Sequence, residues 1–386
     1  MDAVALKILI DDVKITGRRG MTILDAAGEA GIAIPSLCHH RNLVPAGSCR
    51  ICVVDIEGSK RLVGSCHTPI EEGMVIHTGS PKVIAARRAI VELLMAGHTG
   101  PCLNDTHAAQ CDLHMLASDL QTGPPRFRVR KPRYYEPEEA NPYIRRDMSR
   151  CILCSRCVGV CNDLAGKKVF GTAYRGFGSK VIVDFDGFLD KEICRECLLC
   201  VDYCPTSALG VRGREKAEPE EKPAPAGSAQ GSDDRNRANL LPRLKKAQES
   251  FHCVSRGIMA DTAQSMGLSV SDVYGVSTFY SFLSTRPTGE NVIRVCGSLP
   301  CYVKNSRAIL RSIEELLGIR PGETTPDGLF SLETANCIGA CDRSPAMLVN
   351  SDLHGNLTPA KIAGIIKSYR SGRRPGGERQ CKTRSF

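Results

Sequence analysis

No stretch of this 386-residue chain stays apolar long enough to cross a bilayer. Nor does it open on a solid apolar block behind basic residues. "MDAVALKILIDDVKIT" alternates instead, which reads as a β-hairpin and not as a secretory signal. Cytoplasmic residence without a membrane span is the expectation. Phosphate-cradling signatures are missing too: no G-x-G-x-x-G follows a strand, no P-loop occurs, and "GFGSK" at Gly176 lacks the third glycine. No helix-turn-helix pattern with a basic recognition face is present. The formal charge of +9 is spread along the chain, dense only in "RFRVRKPR" (Arg126–Arg133) and in the last seventeen residues. A solvated loop and a tail account for those runs, so nucleic acid is not an expected partner.

What the chain has in abundance is cysteine: twenty residues. In a reducing cytosol they do not make a disulfide framework, and short regular spacings read as metal ligands. Length allows two to four domains, and a hydrophobic content of 42% excludes a disordered chain. "REKAEPEEKPAPAGSAQGSDDRNR" (Arg214–Arg237) is charged, Pro/Ala/Gly/Ser-rich and almost free of large apolar residues, so it is expected to be a disordered linker. Before it, residues 4–10 and 13–15 read as a hairpin. "TILDAAGEAG" reads as a short helix between an N-cap at Thr22 and a stop at Gly31. "ICVVDIEG" reads as a strand. "SPKVIAARRAIVELLMAG" reads as a helix capped by Ser80, with proline at its first position and Gly97 at its end. Beyond the linker, "VSRGIMADTAQSMGLSVSDVYGVSTFYSF" is expected to be helical. "NVIRVCG", "SRAILRSIEELLG" and "FSLETANC" read as strand, helix and strand of a small α/β domain.

The cysteines fall into four groups. Cys38, Cys49, Cys52 and Cys66 offer four soft thiolates with only one tight pair, which suits a [2Fe–2S] cluster better than zinc. The small residues of "PAGSCRIC" leave backbone N–H groups free to donate to sulfur. His98, Cys102 and Cys111, with Asp105 between them, form a less regular set at the end of the Ser80 helix. They are either cluster ligands or a helix-terminal histidine near two buried thiols. The strongest signal is C-x2-C-x2-C-x3-C, occurring twice: Cys151, Cys154, Cys157, Cys161, and Cys194, Cys197, Cys200, Cys204 followed by Pro205. In two-cluster ferredoxins each loop supplies three ligands and borrows its fourth from the other motif. One [4Fe–4S] cluster would take Cys151, Cys154, Cys157 and Cys204; the second would take Cys194, Cys197, Cys200 and Cys161. Finally, Cys296 and Cys301 in "CGSLPC" with Cys337 and Cys341 in "CIGAC" fit a second [2Fe–2S] site. Only Cys253 and Cys381 are left over.

In this order the motifs resemble the hydrophilic arm of respiratory complex I and its cytosolic relatives. Residues 1–210 are similar to the N-terminal part of the large iron–sulfur subunit, or to the small diaphorase subunit of NAD-linked hydrogenases. Residues 240–365, with "VYGVSTFYSF", "CGSLPC" and "CIGACDRSPAMLVN", are similar to the thioredoxin-like [2Fe–2S] subunit. The resemblance implies a multidomain α+β chain with a plant-type β-grasp [2Fe–2S] ferredoxin domain (1–79) and a His/Cys [4Fe–4S] loop with helices (80–125). A two-cluster bacterial-type ferredoxin module (140–212), the linker (214–238), a helical plus thioredoxin-like domain (239–369) and a basic tail (370–386) complete it. The family's loop runs H-x3-C-x2-C-x5-C, and Asp105 stands at its second cysteine. A third [4Fe–4S] cluster there would use Asp105 or leave one iron open; alternatively the cluster is missing.

No nickel or molybdenum ligand set remains, so catalysis falls to another subunit. The resemblance implies an electron-transfer subunit of an NAD(P)-linked complex, with FMN and NAD(P) on a flavoprotein partner and a hydrogenase-type, nickel–iron catalytic partner. Plant-type [2Fe–2S] centres sit near about −400 mV, which allows ferredoxin as a further partner and flavin-based electron bifurcation. A formate dehydrogenase partner is the alternative within this reading, and an iron–sulfur redox sensor is the alternative outside it.

Overall fold

The computed structural model describes residues 5–98, 111–127, 135, 141–189, 192–195, 197–211 and 237–371. Cys102 and Asp105, most of the expected linker and most of the expected tail lie outside these residues. The chain separates into two compact units, Met1–Asp233 and Asp234–Phe386.

The first unit begins with the expected hairpin, β1 (Ala5–Ile10) and β2 (Val13–Arg18), the latter longer than its alternation suggested. Thr22 caps α1 (Ile23–Glu29) through a reciprocal capping box with Asp25, so two orphan donors are satisfied at once. The chain turns out at Gly31, whose φ of 74° suits glycine. Strands β3 (Val53–Ile56), β4 (Val63–Gly64) and β5 (Val75–His77) complete a five-stranded sheet ordered β2-β1-β5-β3-β4. β1 runs antiparallel to β2 and parallel to β5. Ile8, Ile10, Ile23, Ala26, Val54 and Ile76 fill the core between helix and sheet.

Helix α2 (Pro81–Gly97) starts as expected, with the Ser80 hydroxyl accepting from the Val83 amide at 3.3 Å and proline at its first position. Its buried Arg87 donates to the carbonyls of Ile51 (3.1 Å) and Val53 (2.8 Å), tying the helix to the chain beside Cys49 and Cys52. The shorter α3 (Asp112–Asp119) packs against it. The remaining module is framed by β6 (Ile144–Arg146) paired antiparallel with a strand at 209–211. Inside that frame lie a one-turn helix α4 (Arg156–Gly159), a wide π-turn at Val160–Leu164, the hairpin β7 (Phe170–Ala173) and β8 (Lys180–Val183), a one-turn helix α5 (Leu199–Asp202), and then β9 (Leu209–Val211) itself.

The second unit opens with three helices: α6 (Leu240–Phe251), α7 (Arg256–Met266) and α8 (Val270–Phe279). β10 (Asn291–Cys296) leads through α9 (Leu299–Val303) and α10 (Ser306–Leu317) to β11 (Phe330–Ala335), which lies parallel to it. β12 (Met347–Val349) and β13 (Asp352–His354) extend the sheet to the order β11-β10-β12-β13, and α11 (Pro359–Ser371) closes the unit. Ile293, Val295, Ile309, Ile313, Phe330 and Met347 form its core. Both units are mixed helix and sheet, so the chain is multidomain. Among the described residues no helix is long and apolar enough to cross a membrane.

Candidate metal centres

The first cysteine group converges at the loop edge of the five-stranded sheet. Cys38, Cys49, Cys52 and Cys66 are all buried. The Cys49 amide donates to Cys38 Sγ at 3.4 Å, the amide-to-sulfur donation that "PAGSCRIC" led us to expect. The Cys49 thiol and this amide hold the Cys38 thiol down to about 5, against the opposing effect of burial. Burial, with Cys52 and Cys38 close by, pushes the Cys66 thiol up to about 12.

The two repeated motifs fold alike. Ser155 and Leu198, each directly after the second cysteine of its motif, both adopt left-handed backbone, φ 62° and 48°, and begin α4 and α5. A leucine in this region is strained, and the strain wraps each loop tightly round the point where its thiols meet. The Leu153 amide donates to Cys151 Sγ at 3.4 Å. Which cysteines face one another is decided by the fold between the motifs. Burial raises the Cys157 thiol well above its ordinary value, and Cys154, Cys151, Cys204 and Cys200 add to the effect. Cys154 is pushed up to about 12 by burial and by Cys204. Cys200 is raised by burial and then by Cys161, Cys194 and Cys197. A small cavity is lined by Cys161, Cys194, Cys197 and Cys200, with Val160 and Phe170 as part of its apolar wall. Cys161 thus lies with the second loop, and Cys204 adds its charge to Cys154 and Cys157 of the first as well as to Cys200. The π-turn carries Cys161 there, and the Val169 amide donates to its sulfur at 3.3 Å.

These two sites answer to a cationic metal group. Burial makes each isolated thiolate costly, and a metal placed among four of them deprotonates and offsets them together. The residues present therefore fit [4Fe–4S] clusters.

In the second unit Cys296 ends β10, Cys301 lies on α9, and Cys337 and Cys341 follow β11. The first two are buried and the last two exposed. Cys337 Sγ and Cys341 Sγ stand 3.9 Å apart, and the Gly339 amide donates to Cys337 Sγ at 3.4 Å. Two thiolates on one tetrahedral metal are separated by about 3.8 Å, so this pair fits one iron of a [2Fe–2S] cluster. Cys337, then Cys301 and Cys296, raise the Cys341 thiol, which places all four in one electrostatic neighbourhood.

The second group is only half described. His98 caps the end of α2 and Cys111 the start of α3, with His98 Nε2 and Cys111 Sγ 3.8 Å apart. His114 joins them, and the three ligand atoms lie within 4.8 Å of one another. Sequence reading missed His114, although the C-x2-H spacing of Cys111 and His114 at a helix start was a usable signal. Cys253, left over by the sequence assignment, is buried and disulfide-bonded.

Within the first unit the sites adjoin. Cys38, Cys49, Cys111 and Cys154 belong to one apolar cluster with Leu37, Ile51 and Val91. Arg156, between Cys154 and Cys157, donates to the His39 carbonyl at 2.6 Å, and His40 packs on Tyr203 with ring centres 4.2 Å apart.

Three family models match the chain in succession. Residues 3–81 match the 2Fe–2S iron–sulfur cluster binding domain. Residues 141–210 match the ferredoxin-like domain of NADH-quinone oxidoreductase subunit 3, and 228–370 the thioredoxin-like [2Fe–2S] ferredoxin. A subunit of the NADH-quinone oxidoreductase of Rickettsia prowazekii is 37% identical over 207 residues, 54% of this chain and 30% of that one. The HndD subunit of the NADP-reducing hydrogenase of Solidesulfovibrio fructosivorans is 38% identical over 216 residues, 53% of this chain and 36% of that one. A solved structure of an NAD+-reducing [NiFe]-hydrogenase in its H2-reduced state overlaps 55% of this chain and 90% of its own at 28% identity, with a TM-score of 0.48. The chain spans about a third of the length of the two curated relatives named here. The resemblance read from the motifs is borne out: ferredoxin-like and thioredoxin-like [2Fe–2S] domains stand in one chain, and its homologues are subunits of NADH dehydrogenase and NAD(P)-linked hydrogenase complexes.

Proposed function

We propose that this chain is the electron-transfer iron–sulfur subunit of an NAD(P)-linked hydrogenase complex. It would relay electrons between a flavoprotein carrying FMN and NAD(P) and a separate hydrogenase-type catalytic subunit. The observation that supports it is Cys161 lining one cavity with Cys194, Cys197 and Cys200, while Cys204 is among the charges that raise Cys154 and Cys157. Crossed ligation places two one-electron centres side by side, as hopping requires and as a single sensing centre does not. Cys151, Cys154, Cys157 and Cys204 would hold one [4Fe–4S] cluster, and Cys194, Cys197, Cys200 and Cys161 the other. Cys38, Cys49, Cys52 and Cys66, and Cys296, Cys301, Cys337 and Cys341, would hold [2Fe–2S] clusters. The clusters supply reversible one-electron storage. The chain's own part is to exclude water around the sulfurs, donate amide N–H bonds to them, and join the first [2Fe–2S] loop to the ferredoxin module through Arg156 and His40.

A hydrogenase partner is favoured by the likeness to the HndD subunit. The nickel–iron form, and ferredoxin-coupled bifurcation, enter this proposal from the sequence resemblance and the low potential of plant-type centres. Anaerobic purification of the untagged protein from its source cells tests the role. Co-elution with an FMN-containing, NAD(P)H-oxidising subunit and H2-dependent cluster reduction are expected. Reduction by formate and not by H2 would replace the hydrogenase partner with a formate dehydrogenase. Elution without any flavoprotein would remove the relay assignment.

A further inference from the structure

The trio His98, Cys111 and His114 is distinct in kind from the four-cysteine sites. Ligands on different corners of a cubane bind different irons and are held apart by the width of the core. Ligands that share one ion converge. A tetrahedral divalent ion with bonds of about 2.0–2.3 Å sets its donors about 3.3–3.8 Å apart. His98 Nε2 and Cys111 Sγ are 3.8 Å apart, and the His114 ligand nitrogen lies within 4.8 Å of both. His98 and Cys111 are buried, and His114 is half-buried.

Each donor is also prepared. His98 Nδ1 lies 2.9 Å from the Arg150 carbonyl. A carbonyl only accepts, so Nδ1 donates to it and Nε2 is the ring nitrogen turned toward Cys111. Cys111 is held in place as the N-cap of α3. His114, three residues on, shares its face of the helix, and the rings of His98 and His114 stand with centres 5.1 Å apart.

We propose that His98 Nε2, Cys111 Sγ and His114 bind a single divalent ion of the zinc class, in place of a third iron–sulfur cluster. A borderline-soft ion suits two imidazoles and a thiolate. Zinc carries no electrons, so the ion is a clamp. It joins the end of α2 to the start of α3, which touch the chain beside Cys151 through the Arg150 carbonyl and beside Cys204 through the bond from the Asp112 amide to the Pro205 carbonyl, 2.8 Å.

The clamp stands independently of the relay role, and the test separates the two. Zinc K-edge X-ray absorption on the full, cluster-loaded chain after zinc addition and desalting reads the neighbours of zinc whatever the iron content. One retained zinc per chain, bound by two imidazoles and one sulfur at about 2.3 Å, is expected. His114→Gln should weaken its retention by roughly tenfold or more, while the exposed-site control His77→Gln leaves it unchanged. If His114→Gln does not fold, the zinc spectrum of the unaltered chain decides alone. A zinc shell of four sulfurs, no retained zinc, or a third tetranuclear iron signal indifferent to His114→Gln would overturn the proposal.

Discussion

Arg150 is among the largest fully buried side chains of the molecule, and its Nε donates to the equally buried Asp147 at 3.0 Å. The pair sits directly before Cys151, and Asp147 also accepts from the Ser149 amide at 3.1 Å. Buried pairs add little net stability, but breaking one strands a charge. Asp147→Ala should therefore cost about 3–5 kcal/mol, read as a lower midpoint for thermal loss of the iron–sulfur absorbance. A change below about 1 kcal/mol would show that solvent reaches Arg150. The crossed cysteines give the sharper residue-level prediction. Cys161→Ser should remove or alter the paramagnetic signal of the cluster held by Cys194, Cys197 and Cys200, although Cys161 belongs to the other motif. Loss instead of the Cys151-motif signal would mean that each loop closes on itself. Cys161 and Cys204 stood out as candidates because the spacing repeats. His114 was missed, because the weak signal of one histidine three residues beyond Cys111 gains force only once the fold brings His98 to both.

Local chemistry fixes the helix starts, so most were readable. Ser80 and proline mark α2, and Thr22 with Asp25 marks α1. Thr22→Ala removes the hydroxyl half of that capping box, leaving the bond from its own amide to Asp25, and should cost about 1 kcal/mol. Hydrogen exchange should quicken within α1 and leave β10 and β11 unchanged. The short strands β4, β6, β9, β12 and β13 were unreadable, since two or three residues hold no period and gain their pairing only from distant partners. α6 was also missed: only Leu240 and Leu244 are buried along it, and it packs against α8 later in the chain. A tertiary demand hidden in the same way lies at Gly289, before β10, whose amide donates to Ser331 Oγ at 2.7 Å. A Cβ there would meet the Phe330 backbone at 2.8 Å. Gly289→Ala should destabilise the β10–β11 pair by about 1–3 kcal/mol, seen as faster exchange in both strands with residues 5–77 unaffected.

At the scale of the molecule, thiol chemistry takes the place of a large core. The first unit spreads its buried apolar residues over separate clusters, and three of these contain cysteines from the proposed metal sites: Cys154 with Cys38 and Cys49, Cys161 with Cys200, and Cys52 with Cys66. Removing the metals should consequently loosen the ferredoxin module before the second unit, whose main core contains no cysteine. This global plan was readable from cysteine spacing alone, because ligands must recur at distances that short loops can close. The most direct measurement is iron and acid-labile sulfide per chain in anaerobically prepared protein. Two binuclear and two tetranuclear clusters require about twelve of each. Stoichiometric zinc with little iron and no labile sulfide would contradict the account.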